Sequence, residues 1–470
     1  MIFNRSAVGK RHRFRAFFPR LAANLYSAAL AKSALTWDGR DKGETMSDAN
    51  NGKLSQHDLD ILRRLGRRKA QLAADPVNIE RREAWYAHDA GEPSARPMVL
   101  AEIAGVRDPH PPVSDSDCHC QNQWARRIER GLVQEIYQFD ELKDDHVIEP
   151  RMQTNWKVKV SDYGVQQVVH NSDADVTLAA RSWDPPIKDI DADFDKLHRR
   201  TYAVDREATM AQLERLEEVF DGILPVTIRG KFFWSMGLTW PAIDLVGLQN
   251  LMLLMYDNPN GLHRLMTFLR DDHLAYAKWL ESEGLLNLDN ENDYIGSGSM
   301  GYTHDLPEAN HKEGEPLRLS DLWVLSESQE TVGVGPELFE EFIFPYQLDI
   351  ARNFGKSYYG CCEPVNNRWH VLKRLPNLAR VSVSPWADEE FMAQACGTQY
   401  VYSRKPKPTQ VSTGRFDEDA IRADLRHTLD VTRRCGCRTE IIMKDVHTLH
   451  DEPDRLARWV QLTRQEIASQ

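Results

Sequence analysis

Four stretches decide the fold: Ser357-Tyr358-Tyr359-Gly360-Cys361-Cys362, Ala379-Arg380-Val381-Ser382-Val383-Ser384, Gln399-Tyr400-Val401-Tyr402-Ser403 and Glu440-Ile441-Ile442-Met443. Each is a short run rich in β-branched or aromatic residues. Helical patterns at 366–374, 388–396 and 417–434 separate them. Such runs read as strands, and strands alternating with helices of this length read as βαβ units of a parallel sheet. Working outward, 96–103, 144–150, 224–230 and 293–300 give further strands. Helices are expected over 122–142, 241–256, 258–283, from Pro336 to about 353, and over 453–468. Seven or eight such units, with no Gly-x-Gly-x-x-Gly turn after the first strand, predict a single (β/α)8 TIM barrel rather than a dinucleotide-binding sheet.

The 470 residues would suggest about three domains by simple division, but a large barrel absorbs most of them. Residues 96–470 are read as the barrel, 46–95 as an amphipathic helical arm, and 151–205, rich in Asp and Pro, as a lid-like excursion. Residues 1–45 hold nine Lys/Arg against three acids, a net +6, which leaves the rest at −18 within a total of −12. This basic extension reads as a leader or as codons upstream of a start at Met46. The acidic body excludes an electrostatic footprint for nucleic acid. A mean hydropathy of −0.55 and the lack of an apolar run of about 20 residues exclude a spanning helix. Seven cysteines, an odd number placed in close groups, do not make a disulfide framework. Reduced thiols in a cytoplasmic protein are expected.

In a barrel the chemistry sits at the carboxyl ends of the strands. That rule selects Cys361, Cys362 and Glu363, then Arg404 and Lys405, Trp386 and Asp388, and Lys444, Asp445 and His447. Earlier units add Glu102, Asp144, Asp145 and Glu149. Cys361, Glu363, Asp445 and His447 are ligand types suited to zinc, although two cysteines ending a strand are equally well read as small buried side chains. Asp145 and Glu149, with Lys405, are the candidate catalytic groups. Trp234, Met300, Glu327 and Arg404 are the candidate substrate contacts, and Arg404 with Lys405 reads as an anion clamp or as a basic surface turn. Cys118-His119-Cys120 and Cys435-Gly436-Cys437 read as local structure, the second as a helix-end turn.

Several segments in order carry a resemblance: Arg96-Pro97-Met98-Val99, Asp144-Asp145-His146-Val147, Leu254-Met255-Tyr256-Asp257-Asn258-Pro259, Val334-Gly335-Pro336-Glu337-Leu338-Phe339 and Tyr358-Tyr359-Gly360-Cys361-Cys362-Glu363. From about Leu54 onward the chain resembles the uroporphyrinogen decarboxylase-like superfamily, which includes zinc-dependent, corrinoid-linked methyltransferases. The resemblance implies a methyltransferase moving a methyl group between a small substrate and a thiol or a corrinoid supplied by a partner protein. In that branch zinc is held by a His-x-Cys pair and a later Cys. Here Tyr359 stands at the His position, Cys361 matches the Cys, and Asp445 or His447 would complete the set. Two other outcomes follow from the same resemblance: a cofactor-free decarboxylase using Asp145, and a non-catalytic barrel that binds a small ligand or a corrinoid protein. A homodimer is compatible with each.

Overall fold

The computed structural model describes residues 53–171, 181–312 and 314–469. The basic extension at 1–45 therefore lies outside the described residues. Six strands form one parallel sheet: β1 (Met98–Ala101), β2 (Trp323–Ser326), β3 (Lys356–Tyr359), β4 (Leu378–Val383), β5 (Val401–Arg404) and β6 (Arg438–Met443). Their order is β1-β6-β5-β4-β3-β2. Each neighbour is the next strand in sequence, except that β1 closes onto β6 with Met98 opposite Glu440 and Ala101 opposite Met443. The register steps regularly, as where Arg380 to Val383 face Val401 to Arg404.

β1, β2 and β5 are buried at every position, as strands covered on both faces are; the one charged side chain among them, Arg404, is paired with Glu389. Helices Pro336–Phe342 and Phe344–Ala351, Glu389–Cys396, Glu418–Arg434 and Arg455–Ala468 connect or flank these strands. The predicted helix over 336–353 is divided at Ile343, where φ/ψ of −122°/−56° departs from helical values just before Pro345. The predicted helix over 241–256 is likewise divided at Gly247, whose φ of +81° suits glycine.

Beyond the six strands the backbone continues at both free edges. The amide of Asp145 donates to Val99 O at 2.8 Å along β1, and that of Met236 donates to Leu325 O at 2.8 Å along β2. Met152–Thr154 pairs in parallel with Val226–Ile228. Strands Tyr294–Gly296 and Ser299–Met300 form a hairpin that lies against the sheet residues Leu325, Tyr358 and Ile442. The 151–205 excursion is built from small antiparallel pairs, Lys157–Val160 with Tyr202–Asp205 and Val168–Asn171 with Arg181–Asp184.

The expected arm is two helices, α1 (Gln56–Ala73) and α2 (Pro76–Ala90). Asp75 caps α2 by accepting from Val77 N, and Pro76 occupies the first turn. A residue before proline disfavours the helical region, so α1 stops there. Nor is α2 an appendage. Its Trp85 is fully buried beside Met98, Leu100, Tyr302 and Ile442, a burial worth about 2–3 kcal/mol. Its Asp89 accepts from Arg380 Nη2 of β4 at 2.8 Å. The helix thus seals the sheet toward the amino ends of its strands.

Candidate functional site

Each strand of the sheet delivers a polar side chain just past its carboxyl end: Glu102 after β1, Glu327 after β2, Cys361 after β3, Ser384 after β4, Lys405 after β5 and Lys444 after β6. The turn after β3 depends on Gly360, at φ +96°, whose amide donates to Ser326 O at 2.9 Å. A side chain there would be strained and would press on Ser382 at 3.1 Å. The turn places Cys361 4% exposed, with Cys362 beside it and partly exposed.

Around Cys361 Sγ lie Cys362 Sγ at 3.6 Å, Ser297 Oγ at 3.8 Å and Lys444 Nζ at 3.8 Å. Lys444 Nζ is also 3.4 Å from Ser297 Oγ and 3.8 Å from Asp445 Oδ2. Cys362 Sγ lies 3.5 Å from that same carboxylate oxygen. Ser297 reaches the cluster from the hairpin turn, at φ +46°, and Gly298 follows at φ +89°. A Cβ on Gly298 would meet Ile442 at 2.6 Å and Glu102 Oε1 at 3.0 Å. Asp445 also sits in the left-handed region, at φ +58°, a conformation that Asp tolerates better than most residues but that still needs support from its surroundings.

The hydrogen bond with Cys362, and then the Lys444 ammonium, bring the Cys361 thiol below its ordinary value despite desolvation. Burial lowers Lys444, but Asp445, Cys361, Tyr294 and Glu102 outweigh it and the net direction is up. Burial raises Glu102, with Lys444 opposing. Both directions favour ionisation, of the Cys361 thiol and of the Lys444 amine beside it.

Two further groups surround this centre. Lys405 Nζ, 3% exposed, donates to Tyr358 OH at 3.0 Å and Ser403 O at 3.1 Å, and also bonds Ser403 Oγ. Burial, with Lys444 adding repulsion and Glu440 opposing, lowers it to about 7. On the other side Glu327, Glu330 and Glu363 are 1%, 7% and 1% exposed. Glu363 accepts from the amides of Ser328 and Cys361, both at 2.9 Å. Glu330 accepts from Thr239 Oγ1 at 2.6 Å, while its other oxygen is buried without a hydrogen-bond partner. Burial, then Glu330 and Glu363, push Glu327 well up, and burial pushes Glu330 to about 7. Gly237 lets the preceding loop cross this end of β2, since a Cβ would lie 2.2 Å from Glu327 O. Gln347 Nε2 ties the crossing by donating to Gly237 O and Glu327 O at 2.7 and 3.0 Å.

Of the residues expected from sequence, Cys361, Cys362, Glu363, Lys444, Asp445, Lys405, Glu102 and Glu327 stand at this end. Asp145, Arg404, Met300, Glu149, Trp234 and His447 are placed differently. Asp145 is fully buried against Arg96 and Arg464, each at 2.8 Å, and accepts from Val99 N. These partners lie before β1 and on the last helix, so Asp145 anchors the amino half of β1. Desolvation raises it, but Arg96 and Arg464 win and hold it low. Arg404 turns outward to Glu389 at 2.7 Å and Thr428, because adjacent strand positions face opposite sides. Met300 is core, beside Trp85 and Tyr302. Glu149, bonded by Tyr302 OH at 3.2 Å and Arg151 at 3.2 Å, belongs to an ion-pair group with Glu291. Trp234 packs on the cluster of Trp323, Leu325 and Tyr358. His447 Nδ1 faces Gly105 O at 3.4 Å, and its buried Nε2 has no hydrogen-bond partner.

The expected zinc donors do not converge. Both Glu363 oxygens are occupied by amides, and among the described residues no group of three or more His, Cys, Asp or Glu is disposed to hold a metal ion. Three residues of the site escaped the sequence reading as contributors: Ser297, Glu330 and Tyr358. The Gly296-Ser297-Gly298-Ser299 turn was a visible signal for the first, while the other two are positioned only by folding.

No protein-family model matches the chain, and no curated protein matches it. Among solved structures the chain is similar to a methyltransferase from Methanosarcina mazei, at 12% identity and a TM-score of 0.46, over 83% of this chain and 99% of that one.

Proposed function

We propose that this chain is an enzyme that moves a methyl group from a small methylated substrate to a thiolate, at the carboxyl ends of a (β/α)8-type barrel whose remaining wall is supplied by the segments along β1 and β2. The observation that carries the reading is the Cys361 thiol 3.8 Å from the buried Lys444 ammonium. A thiolate is the nucleophilic form of cysteine, and a neighbouring cation makes it available near neutral pH. In the displacement, Cys361 Sγ bonds to the methyl carbon as the bond from methyl to its leaving atom breaks. The leaving group takes one proton from Glu327, whose carboxyl burial and then Glu330 push well up. Lys444 offsets charge on sulfur before attack, and Glu363 fixes the cysteine backbone through the Cys361 amide.

The test is incubation of the full chain with methylated amines, ethers and thioethers, and with methylcorrinoid as an alternative substrate. Expected is a methyl adduct on Cys361 by peptide mass spectrometry, absent in Cys361→Ser and slowed in Lys444→Met. Undiminished methyl transfer by Cys361→Ser would overturn the reading.

A decarboxylase remains the second reading because of one observation: Lys405 is a buried amine at the same end, bonded among the described residues only to neutral oxygens. It would hold a substrate carboxylate. Asp145 has no part in this version, since two arginines already hold it. Conversion of uroporphyrinogen to coproporphyrinogen, lost in Lys405→Met, would favour it over methyl transfer.

A further inference from the structure

Cys361 and Cys362 are sequence neighbours with Sγ atoms 3.6 Å apart. A disulfide needs sulfurs about 2.05 Å apart and is relaxed when its Cα atoms are about 4.4–6.8 Å apart. Adjacent residues across a trans peptide are held at about 3.8 Å, so closing this pair on itself is strained. Bridging both sulfurs with one larger atom avoids that strain, because each sulfur bonds the bridge and the two stay apart. The surroundings favour such a bridge. Cys362 is partly exposed and gives access. Lys444 lies beside one sulfur and the Asp445 carboxylate beside the other, at 3.8 and 3.5 Å, so that a cation supports the thiolate and a base faces the remaining thiol.

We propose that Cys361 and Cys362 form a two-sulfur clasp for a trivalent organoarsenical, a soft electrophile of the form R–As(OH)2. Two S–As bonds form and two As–OH bonds break. The two thiol protons leave with the two hydroxides as water, and arsenic stays trivalent, so no oxidant or reductant is needed. This goes beyond methyl transfer, although it uses the same sulfur, and it needs no methyl donor.

The other close cysteine pairs are placed differently. Cys118 and Cys120 are buried, with Glu129 accepting from the Cys120 amide, and burial raises both thiols. Cys435 and Cys437 flank Gly436 at φ +69°, and burial raises Cys437 to about 12.

The experiment titrates the full, unmodified chain with phenylarsine oxide. Expected are one arsenical per chain, two fewer thiols reactive to a colorimetric disulfide reagent, and an adduct on the single peptide that carries Cys361 and Cys362. A dithiol should release it far more readily than a monothiol. Because two anchoring bonds act together, Cys361→Ser and Cys362→Ser should each weaken binding by about 100-fold or more, while the double change Cys435→Ser with Cys437→Ser leaves it unchanged. An adduct on 118–120 or 435–437, or binding that survives either single change, would overturn the clasp. The peptide map needs no variant to fold. Failure here leaves methyl transfer to Cys361 untouched, since that assay reads a different adduct.

Discussion

The two ends of the sheet treat buried charge in opposite ways. Toward the amino ends every buried charge named above has an opposite partner: Asp145 has Arg96 and Arg464, Asp89 has Arg380 and Lys356, and Arg380 also reaches Glu440. Toward the carboxyl ends, Glu327, Glu330 and Glu363 make no ion pair among the described residues, and Lys405 bonds only to neutral oxygens. Desolvation costs are offset at the first end and left partly open at the second. Structural pairs satisfy themselves, whereas buried titratable groups without an opposite charge keep hydrogen-bonding or proton-transfer capacity for a substrate.

The largest expected effect breaks the paired end. Arg380 is fully buried and donates to Asp89, Ser299 Oγ, Met300 O and Tyr302 O. Arg380→Met leaves buried Glu440 without its cation and Asp89 with Lys356 alone, and should cost about 3–5 kcal/mol in denaturant unfolding, with the alkylation rate of Cys361 in the folded protein unchanged. A loss of reactivity without a loss of stability would reverse the assignment of the two ends.

At the carboxyl end a comparable change should stabilise. Glu330 titrates near 7 in the fold against 4.5 in the reference state. A raised carboxyl is penalised when ionised: stability is fully present below about 4.5 and is lost as pH rises through about 7. Glu330→Gln keeps an acceptor for Thr239 and should gain about 3 kcal/mol at pH 8, at roughly 1.4 kcal/mol per unit, and nothing at pH 4. Equal effects at both pH values would show that the carboxyl is already satisfied.

The third prediction sharpens the contrast within the site. Lys444→Met should move the midpoint of Cys361 alkylation by iodoacetamide upward by about one pH unit, or about 1.4 kcal/mol. An unmoved midpoint would mean that Cys362 alone sets the thiol. Smallest of all is a charge pair at neither end. Arg68 and Asp140, 2.7 Å apart and well exposed, should be worth under about 0.5 kcal/mol in Arg68→Ala thermal melts.

Much of this was legible in the chain itself. The short runs ending at Cys362, Ser384, Ser403 and Met443 announced parallel strands, and the carboxyl-end rule then led to Cys361, Lys405 and Asp445 without coordinates. The misplacements share one physical source. Arg404 and Lys405 are adjacent and similar, yet strand pleating sends the first to helices Glu389–Cys396 and Glu418–Arg434 and the second to Tyr358. Asp145 looked like a site carboxylate because sequence shows the acid but not Arg464, more than three hundred positions away, that neutralises it. The arm was read as an amphipathic helix and no more, because helical periodicity reveals that a face is apolar, not that Trp85 packs with Met98 and Tyr302.

Sequence alone determined five of the six sheet strands and the end at which chemistry-bearing residues collect, because these follow from local periodicity and strand direction; it did not mark the strand Trp323–Ser326, and 144–150, expected as a strand, is irregular backbone along β1. Only the tertiary structure decided which charges meet partners, since Coulomb and hydrogen-bond energies depend on distances between residues far apart in the chain. That is why most of the sheet, Cys361 and Lys405 could be read directly, while the strand Trp323–Ser326, the Ser297–Cys361–Lys444 contact and the lack of an ion pair at Glu327 and Glu330 among the described residues had to be seen in the fold.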